Sequence, residues 1–318
     1  MDPRQVVEQR ADIVVNDLNQ NGGLLPRATA NKFISEIYSA TPLFSAAHQE
    51  RMPSPSWSIP RVGFTGQILM NDPGAGNALA DGDRKKVTTF NVQLDAKLYR
   101  GEVWLPYDVL EDNIEGQTFQ TTVMNHIAKQ VGLDLANCFL NGDTALAGNG
   151  TDEGRLLGVQ DGVLKKFAAN VFDAGGSHID DDVFGSWYKT LPQKYRDAMG
   201  PRLKFYVNDG VALDWRAKVS KRMTGKGDEA LTEEEIPRFG GKGIVGDVGL
   251  KPDVNTGFTK GMLTDPANLI IGIWREITIE AWKDIRRQVI VTVVSVRAAF
   301  AAYQPGGLVI ASGLLPKA

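Results

Sequence analysis

Cysteine and histidine are scarce in this 318-residue sequence, which contains one Cys and three His. The lone Cys138 cannot form a disulfide within the chain, and it cannot supply the Cys/His cluster of a structural zinc site. The three histidines lie in separate predicted elements and share no spacing typical of a catalytic site. We therefore expect a fold held by packing, without a metal or another cofactor.

Long apolar runs and an excess of positive charge are also missing. The longest apolar run, residues 289–296, is too short for a membrane helix of about 18 residues and is followed by Arg297. The N-terminus alternates charged and apolar side chains, unlike a signal peptide. With 35 basic and 38 acidic residues the net charge is −3, whereas a dedicated nucleic-acid-binding domain is strongly basic. We expect no membrane partner and synthesis in a reducing cytoplasm.

Two alternating runs in the first third of the chain predict a long β-hairpin. Apolar and polar side chains alternate strictly over residues 89–98, and Phe64, Ile68 and Met70 fall on a second alternating run. The residues between them are rich in turn formers. A lone two-stranded hairpin is marginally stable in water, and no neighbouring segment obviously covers its apolar face. The hairpin therefore indicates contact with another copy of the chain.

The residues that we expect at this contact between copies belong to the hairpin and to its basic tip. They are Phe64, Ile68, Phe90, Val92 and Leu94 along the strands, with Arg84, Lys85 and Lys86 near the tip. The apolar residues would pack on the neighbour, and the basic residues would meet acidic partners.

The middle of the chain predicts one long helix followed by a mixed lobe. Apolar residues recur every four positions from Phe119 to Phe139, which predicts a helix over 117–140. Beyond it, helices are predicted over 180–199 and 209–222 and a strand over 203–207, an order typical of a mixed α/β lobe. The remaining chain is β-rich, with strands predicted over 269–274, 277–282, 289–300 and 308–311.

Three motifs suggest chemistry, and each has a simpler interpretation. Gly241–Gly246 matches the dinucleotide fingerprint, but Gly249 and Pro252 leave no place for the helix that would receive a pyrophosphate, so we interpret it as a glycine-rich loop. The aspartates that follow His178 are typical of a helix N-terminus. Cys138 lies beside the apolar stripe of the long helix and is interpreted as a buried apolar residue. We therefore expect no enzymatic activity.

The succession of segments resembles the major capsid proteins of tailed bacteriophages, which have the Hong Kong 97 type fold. An N-terminal arm precedes the hairpin, and the sequence VWLPYDVLED at 103–112 leads into the long helix, which ends in Asn-Gly-Asp at 141–143. Later come FYVND at 205–209 and AAFAAYQP at 298–305. The resemblance implies an α+β chain in six segments. They are an N-terminal arm (1–28), the first part of a peripheral domain (29–60), an E-loop hairpin (61–98), the peripheral domain with its spine helix (99–157), an axial domain (158–275) and C-terminal strands of the peripheral domain (276–318).

The same resemblance implies a structural role. Hexamers and pentamers would form an icosahedral shell around double-stranded DNA, which is held by non-specific contact, and each hairpin would lie across a neighbour. A separate scaffolding protein and a portal would be partners, and the protein would pass from the host cytoplasm into the virion capsid. Some family members cross-link Lys to Asn, but no asparagine follows Asn268. We therefore expect no cross-link from Lys85 or Lys86.

Three other functions are also consistent with the sequence. An encapsulin-type shell has the same fold and would hold a cargo enzyme instead of a genome. A nucleotide-binding α/β enzyme that uses the loop at 241–246 would be a small oligomer that binds a nucleotide. A phage tail or connector protein would form closed rings without a shell.

Overall fold

A computed structural model describes residues 41–64, 87–107, 117–221 and 237–317, with the single positions 68, 69, 71 and 82. The predicted arm (1–28), Met70, most of the hairpin tip and its basic residues Arg84, Lys85 and Lys86 lie outside the described residues. No helix in the described part of the chain is both long and apolar enough to cross a bilayer.

The first part of the described chain contains one short helix, four strands and the long helix. These elements are α1 (Pro42–Ala46), β1 (His48–Arg51), β2 (Ser56–Phe64), β3 (Val87–Asp95), β4 (Lys97–Pro106) and α2 (Gln117–Asn141). The predicted long helix is thus confirmed to within one residue. Its apolar stripe becomes more buried toward its C-terminus, where Phe139 is fully enclosed while Ile127 and Val131 are partly exposed. A repeat of four residues drifts around a helix of 3.6 residues per turn, so one flat face cannot bury the whole stripe.

The second part forms the mixed lobe and the returning strands. Its helices are α3 (Asp152–Leu157), α4 (Val163–Lys166), α5 (Asp181–Thr190), α6 (Gln193–Met199) and α7 (Asp209–Ser220). Its strands are β5 (Val171–Asp173), β6 (Lys204–Val207), β7 (Arg238–Phe239), β8 (Lys242–Gly246), β9 (Thr259–Thr264), β10 (Leu269–Asp284), β11 (Val289–Ala302) and β12 (Val309–Leu314).

These strands form three sheets. One has the order β1-β10-β11-β4, the second has the order β5-β12-β9-β6-β8-β7, and β2 and β3 pair alone as a hairpin. Its first strand, Ser56–Phe64, shares only Phe64 with the predicted run through Phe64, Ile68 and Met70. The C-terminal strand β12 belongs to the second sheet, so the chain returns to the mixed lobe after leaving the first sheet. The two larger sheets are thereby tied together by the same stretch of chain.

Two apolar cores support the sheets. The first joins α1, the C-terminal half of α2 and the buried face of β11, with Phe44, Phe139 and Phe300 in edge-to-face contact. The second fills the mixed lobe around Phe184, which contacts Trp215 at a centroid distance of 4.9 Å and Phe205 at 4.8 Å. Aromatic pairs in this geometry stabilise a core beyond the burial of their area.

Four boundaries differ from the prediction. The strand predicted over 89–98 is divided at Ala96, whose N–H donates to the carbonyl of Pro55 instead of a ladder partner. The helix predicted over 180–199 is interrupted at Pro192, which cannot donate the N–H that a continuous helix requires. The strands at 269–274 and 277–282 are one strand with shifts of register between Ile273 and Thr278. Residues 242–246 form strand β8 instead of a loop.

The assignment of the aspartates after His178 to a helix N-terminus is confirmed. Asp180 is the N-cap of α5, and its Oδ1 accepts a hydrogen bond of 2.7 Å from the N–H of Val183. We expect Asp180→Ala to lower the free energy of unfolding by about 1 kcal/mol, because that N–H loses its acceptor. Urea denaturation of the unassembled chain measures the change. The exposed Asp182, the second residue of the helix, is the matched control, and an equal loss for Asp182→Ala would contradict the capping role.

Candidate assembly surface

The β2–β3 hairpin changes character along its length. Its register pairs Trp57 with Leu94 and Ile59 with Val92, and all four side chains pack into the first core. Leu94 contacts the position of Gly272 on β10, where an added Cβ would also meet Met52. The base of the hairpin is therefore fixed to the body of its own chain.

This anchoring corrects the expectation that the whole apolar face is uncovered. Val92 is 9% exposed and Leu94 is fully buried, so neither side chain is free to contact another copy. The prediction failed because Met52 and the first residues of β10, which lie against Leu94 at Gly272, are distant from it in sequence. Val92 is buried in the same core. Only the glycine at position 272 hinted that a side chain approaches the sheet closely there.

The distal part of the hairpin is exposed. Phe90, opposite Arg61 in the ladder, is 51% exposed, and Val62 and Val87 are more exposed still. Ile68, beyond the described end of β2, is also exposed. The register places Phe64 opposite Val87, and its side chain lies outside the described residues. The register pairs Arg61 with Phe90 and Val62 with Thr89, so Phe90 lies on one face of the hairpin and Val62 and Val87 lie on the other. Exposed large apolar side chains on an arm with a fixed base are typical of a protein contact.

A second exposed surface was not predicted. The register aligns Trp104, Val291 and Trp282 across β4, β11 and β10, and both indoles are about half exposed while Val291 beneath them is buried. The guanidinium of Arg287 lies 5.0 Å from the centre of the Trp104 ring. Exposed tryptophan with arginine is the composition that protein interfaces favour. Arg100, Glu102 and Trp104 alternate along β4 and therefore share one face of the strand. The two charged residues on that face could have predicted that Trp104 is exposed.

The side chains that suggested chemistry in the sequence make contacts within the protein. His178 Nδ1 lies 2.9 Å from the carbonyl oxygen of Leu315. Cys138 is buried, as predicted, and burial raises the pKa of its thiol to about 12, which leaves no reactive thiolate at neutral pH. Lys165 forms ion pairs with both Asp143 and Asp161. The hydrogen bond from Lys165 is the main cause of the lowered pKa of the Asp143 carboxyl. The hydrogen bond from the N–H of Thr144 is the main cause of the lowered pKa of the Asp161 carboxyl. No cluster of potential metal ligands occurs among the described residues.

The dinucleotide motif forms a hairpin. Gly240 and Gly241 have positive φ at the turn between β7 and β8, and the rest of the motif is β8 itself, which pairs in parallel with β6. A dinucleotide site requires the motif to end in a helix N-terminus, and this motif continues as strand. The hypothesis that residues 241–246 bind a dinucleotide is therefore wrong.

Solved structures with the same fold are capsid proteins. The chain matches the satellite phage P4 procapsid that includes the size determination (Sid) protein with a TM-score of 0.66 and 14% identity, over 99% of this chain and 98% of that one. It matches the capsid of the native GTA particle with a TM-score of 0.58 and 14% identity, over 87% and 90%. For Gordonia phage Cozz the TM-score is 0.57 at 10% identity, over 85% of each chain. The chain therefore has the same fold as these structures.

A curated relative agrees with these structures. The chain is 29% identical over 299 residues to "Putative prophage capsid protein YqbE" of Bacillus subtilis (strain 168). The aligned region covers 92% of this chain and 93% of the relative. No family model matches the sequence. The resemblance to phage capsid proteins is confirmed, in sequence by this relative and in fold by the solved capsids.

Proposed function

We propose that the protein is the major capsid protein of a tailed phage or prophage, and that it assembles as hexamers and pentamers into an icosahedral shell around double-stranded DNA. The observation that carries the proposal is the hairpin, whose base is packed into its own chain while Phe90, Val62 and Val87 face outward. An exposed apolar element on each copy can contact a different surface of the next copy, and such contacts between unlike surfaces form rings when the rotation closes.

In this proposal the distal hairpin lies across a neighbouring copy. Phe90 and Ile68 supply its exposed apolar contact, together with Val62 and Val87. Phe64 would extend this contact, and the basic tip, Arg84, Lys85 and Lys86, would meet acidic groups of the neighbour. Val92 and Leu94 instead hold the hairpin at its base.

The subdomains and partners follow from the same proposal. The sheet β1-β10-β11-β4 with α2 would be the peripheral domain with its spine helix, and the second sheet with α5 and α7 the axial domain. A separate scaffolding protein and a portal would take part in assembly in the host cytoplasm, before the protein becomes part of the virion. The net charge of −3 supports non-specific contact with packaged DNA, since tight binding would need many phosphate-neutralising cations.

Sedimentation of the purified full chain, with negative-stain microscopy of the fastest fraction, tests the function. We expect closed particles, or capsomer rings that close when a scaffolding protein is co-expressed. Particles that contain DNA would support a phage shell, and particles that contain an enzyme would support an encapsulin-type compartment. A discrete dimer or tetramer that never assembles would contradict the proposal.

Phe90→Glu tests the role of the hairpin. A buried carboxylate at a contact between copies is costly, so we expect the yield of particles to fall at least about tenfold, an effect of about 1.4 kcal/mol or more per contact. Val171→Glu is the matched control, because Val171 is as exposed as Phe90, at 51%, but lies on β5 of the mixed lobe, outside the hairpin. The thermal transition of the unassembled Phe90→Glu chain should be unchanged. Equal particle yields from the two variants would remove Phe90 from the contact.

A further inference from the structure

Two Asn-Gly units lie in the part of the chain that the structure describes, at Asn141–Gly142 and at Asn149–Gly150. In such a unit the glycine nitrogen can attack the side-chain carbonyl carbon of the asparagine, because glycine has no side chain that hinders the approach. The new C–N bond closes a succinimide ring, and the proton of the attacking nitrogen passes through water to the amide nitrogen, which leaves as ammonia. Water then opens the ring to aspartate or isoaspartate. The rate therefore depends on how freely the glycine nitrogen and the side-chain amide can react.

The first of these units is held in place. Asn141 is the last residue of α2, and its side-chain nitrogen donates to the carbonyl of Gly249 at 2.8 Å. The N–H of Gly142 donates to the carbonyl of Cys138 at 3.0 Å. Gly142 is buried, and an added Cβ there would meet backbone atoms at 160–162. Both the attacking nitrogen and the leaving amide would have to give up a hydrogen bond, at a place where the backbone has no room to rotate.

The second unit is open to solvent. Asn149 and Gly150 are both exposed, in the loop between α2 and α3. The N–H of Gly150 donates to no acceptor among the described residues. The side-chain nitrogen of Asn149 likewise has no acceptor within the described ranges. The attacking nitrogen and the leaving amide are therefore free of the hydrogen bonds that the reaction would have to break at Asn141.

Thr151 holds the oxygen that takes on negative charge during the attack. Asn149 Oδ1 accepts from the N–H of Thr151 at 3.1 Å and from its hydroxyl at 2.8 Å. Donors at such distances stabilise an oxyanion when they are in place before the reaction. The hydroxyl oxygen of Thr151 also accepts from the N–H of Gly154 at 3.0 Å, as the N-cap of α3. The position of this donor is therefore fixed by the start of the helix.

We propose that Asn149 is a site of spontaneous deamidation through a succinimide, assisted by the two donors of Thr151, and that the structure protects Asn141. The reaction needs only water as a co-reactant. It adds one negative charge beside the exposed Asp152 and Glu153, and the isoaspartate product lengthens the main chain by one carbon in front of α3. The modified form accumulates with the age of the protein. This inference does not depend on the proposed shell function.

Mass spectrometry of the purified full chain tests this site. The folded protein is incubated at neutral and at mildly alkaline pH, and the tryptic peptide 130–155, which contains both asparagines, is then fragmented. Deamidation exchanges NH₂ for OH, and fragmentation assigns this mass change to one residue. We expect deamidation to be at least about tenfold faster at Asn149 than at Asn141, because only Asn141 and Gly142 must break hydrogen bonds first. The rate at Asn149 should rise with pH, because the attacking nitrogen must lose its proton.

Two comparisons show whether the folded structure selects Asn149. In urea-unfolded chain the two asparagines should react at similar rates, because each is then followed by an unhindered glycine. In the folded chain Thr151→Val should slow deamidation of Asn149 at least about threefold, a smaller effect than at a buried oxyanion site because water also reaches this loop. Thr151→Ser is the matched control, since it keeps the hydroxyl and should keep the wild-type rate.

Three results would count against the inference. Equal rates at Asn149 and Asn141 in the folded chain would overturn the site. A preference for Asn149 that persists unchanged in urea would show that the neighbouring sequence selects it, and would overturn the role of the structure. Equal rates in Thr151→Val and Thr151→Ser would overturn the assistance by the hydroxyl.

Discussion

Phe139→Ala is expected to lower the free energy of unfolding by about 3–5 kcal/mol, the range for truncating a fully buried phenylalanine. Phe139 is completely enclosed near the end of α2, with its ring centroid 5.5 Å from that of Phe44 and 5.3 Å from that of Phe300. These three rings join α1, α2 and β11. The cavity left by alanine would therefore loosen three elements at once, and domains of this kind are stable by only about 5–15 kcal/mol in total.

Urea denaturation of the unassembled chain at low protein concentration measures this effect. Phe90→Ala is the matched control, because Phe90 is half exposed and its truncation should cost less than about 1 kcal/mol. The two variants should also differ in assembly, since Phe90→Ala keeps the fold but weakens the contact of the hairpin. A loss below about 1.5 kcal/mol for Phe139→Ala would mean that this junction does not hold the two parts of the chain together.

Asp247→Ala is expected to lower the free energy of unfolding by about 2–4 kcal/mol, because two backbone N–H groups lose their acceptor at a cost of about 1–3 kcal/mol each. Asp247 is fully buried directly after β8. Its Oδ2 accepts from the N–H of Leu43 at 3.1 Å and its Oδ1 from the N–H of Gly249 at 2.8 Å. The carboxylate thus links α1 to the mixed lobe, and no described lysine or arginine forms an ion pair with it.

Burial raises the pKa of the Asp247 carboxyl above its ordinary value, and the two N–H donors offset only part of this shift. A carboxyl whose pKa is higher in the folded state binds its proton more tightly there, so folding is favoured as the pH falls. The stabilisation is complete below the ordinary pKa of about 3.9 and is lost as the pH rises through the folded value. We therefore expect the difference in unfolding free energy between wild type and Asp247→Asn to grow as the pH falls from 7 toward 4.

Asp253→Asn supplies a control of opposite sign. Hydrogen bonds from Thr256 and Asn255 lower the pKa of the Asp253 carboxyl, so its contribution is present above the ordinary pKa and is lost as the pH falls. Denaturant titrations of both variants at several pH values between 4 and 7 measure the two slopes. A difference for Asp247→Asn that does not change with pH would show that the carboxyl titrates alike in the folded and unfolded chain.

The elements that the sequence predicted well are those with local causes. The long helix ends at Asn141, where Gly142 and Asp143 follow, because its stripe and its stop signal lie within the same segment. The cap at Asp180 depends on residues three positions apart. Strand β3 follows from alternation, and the mixed lobe from the order of its elements. Pro192 was a visible break whose effect on the predicted helix over 180–199 was overlooked.

The failures concern burial by distant partners. Strand alternation groups Phe90, Val92 and Leu94 on one face. Only the tertiary structure places Met52 and Gly272 of β10 next to Leu94, buries Val92 in the same core and leaves Phe90 exposed. Likewise, the register across β4, β11 and β10 brings Trp104 and Trp282 onto one surface from positions far apart in the chain. Alternation specifies which side chains share a face of a strand, but not what covers that face.

The amino-acid sequence by itself determined that this protein has no disulfide within the chain, a long helix over 117–141, the hairpin strand β3 and a resemblance to phage capsid proteins. The tertiary structure alone decided which part of the hairpin is exposed, that residues 242–246 form a strand, and that the carboxylate of Asp247 is buried. The physical reason is the separation in sequence of the residues that interact. Helices, caps and turns depend on neighbours within a few residues, whereas burial depends on contacts between segments that the chain brings together only on folding.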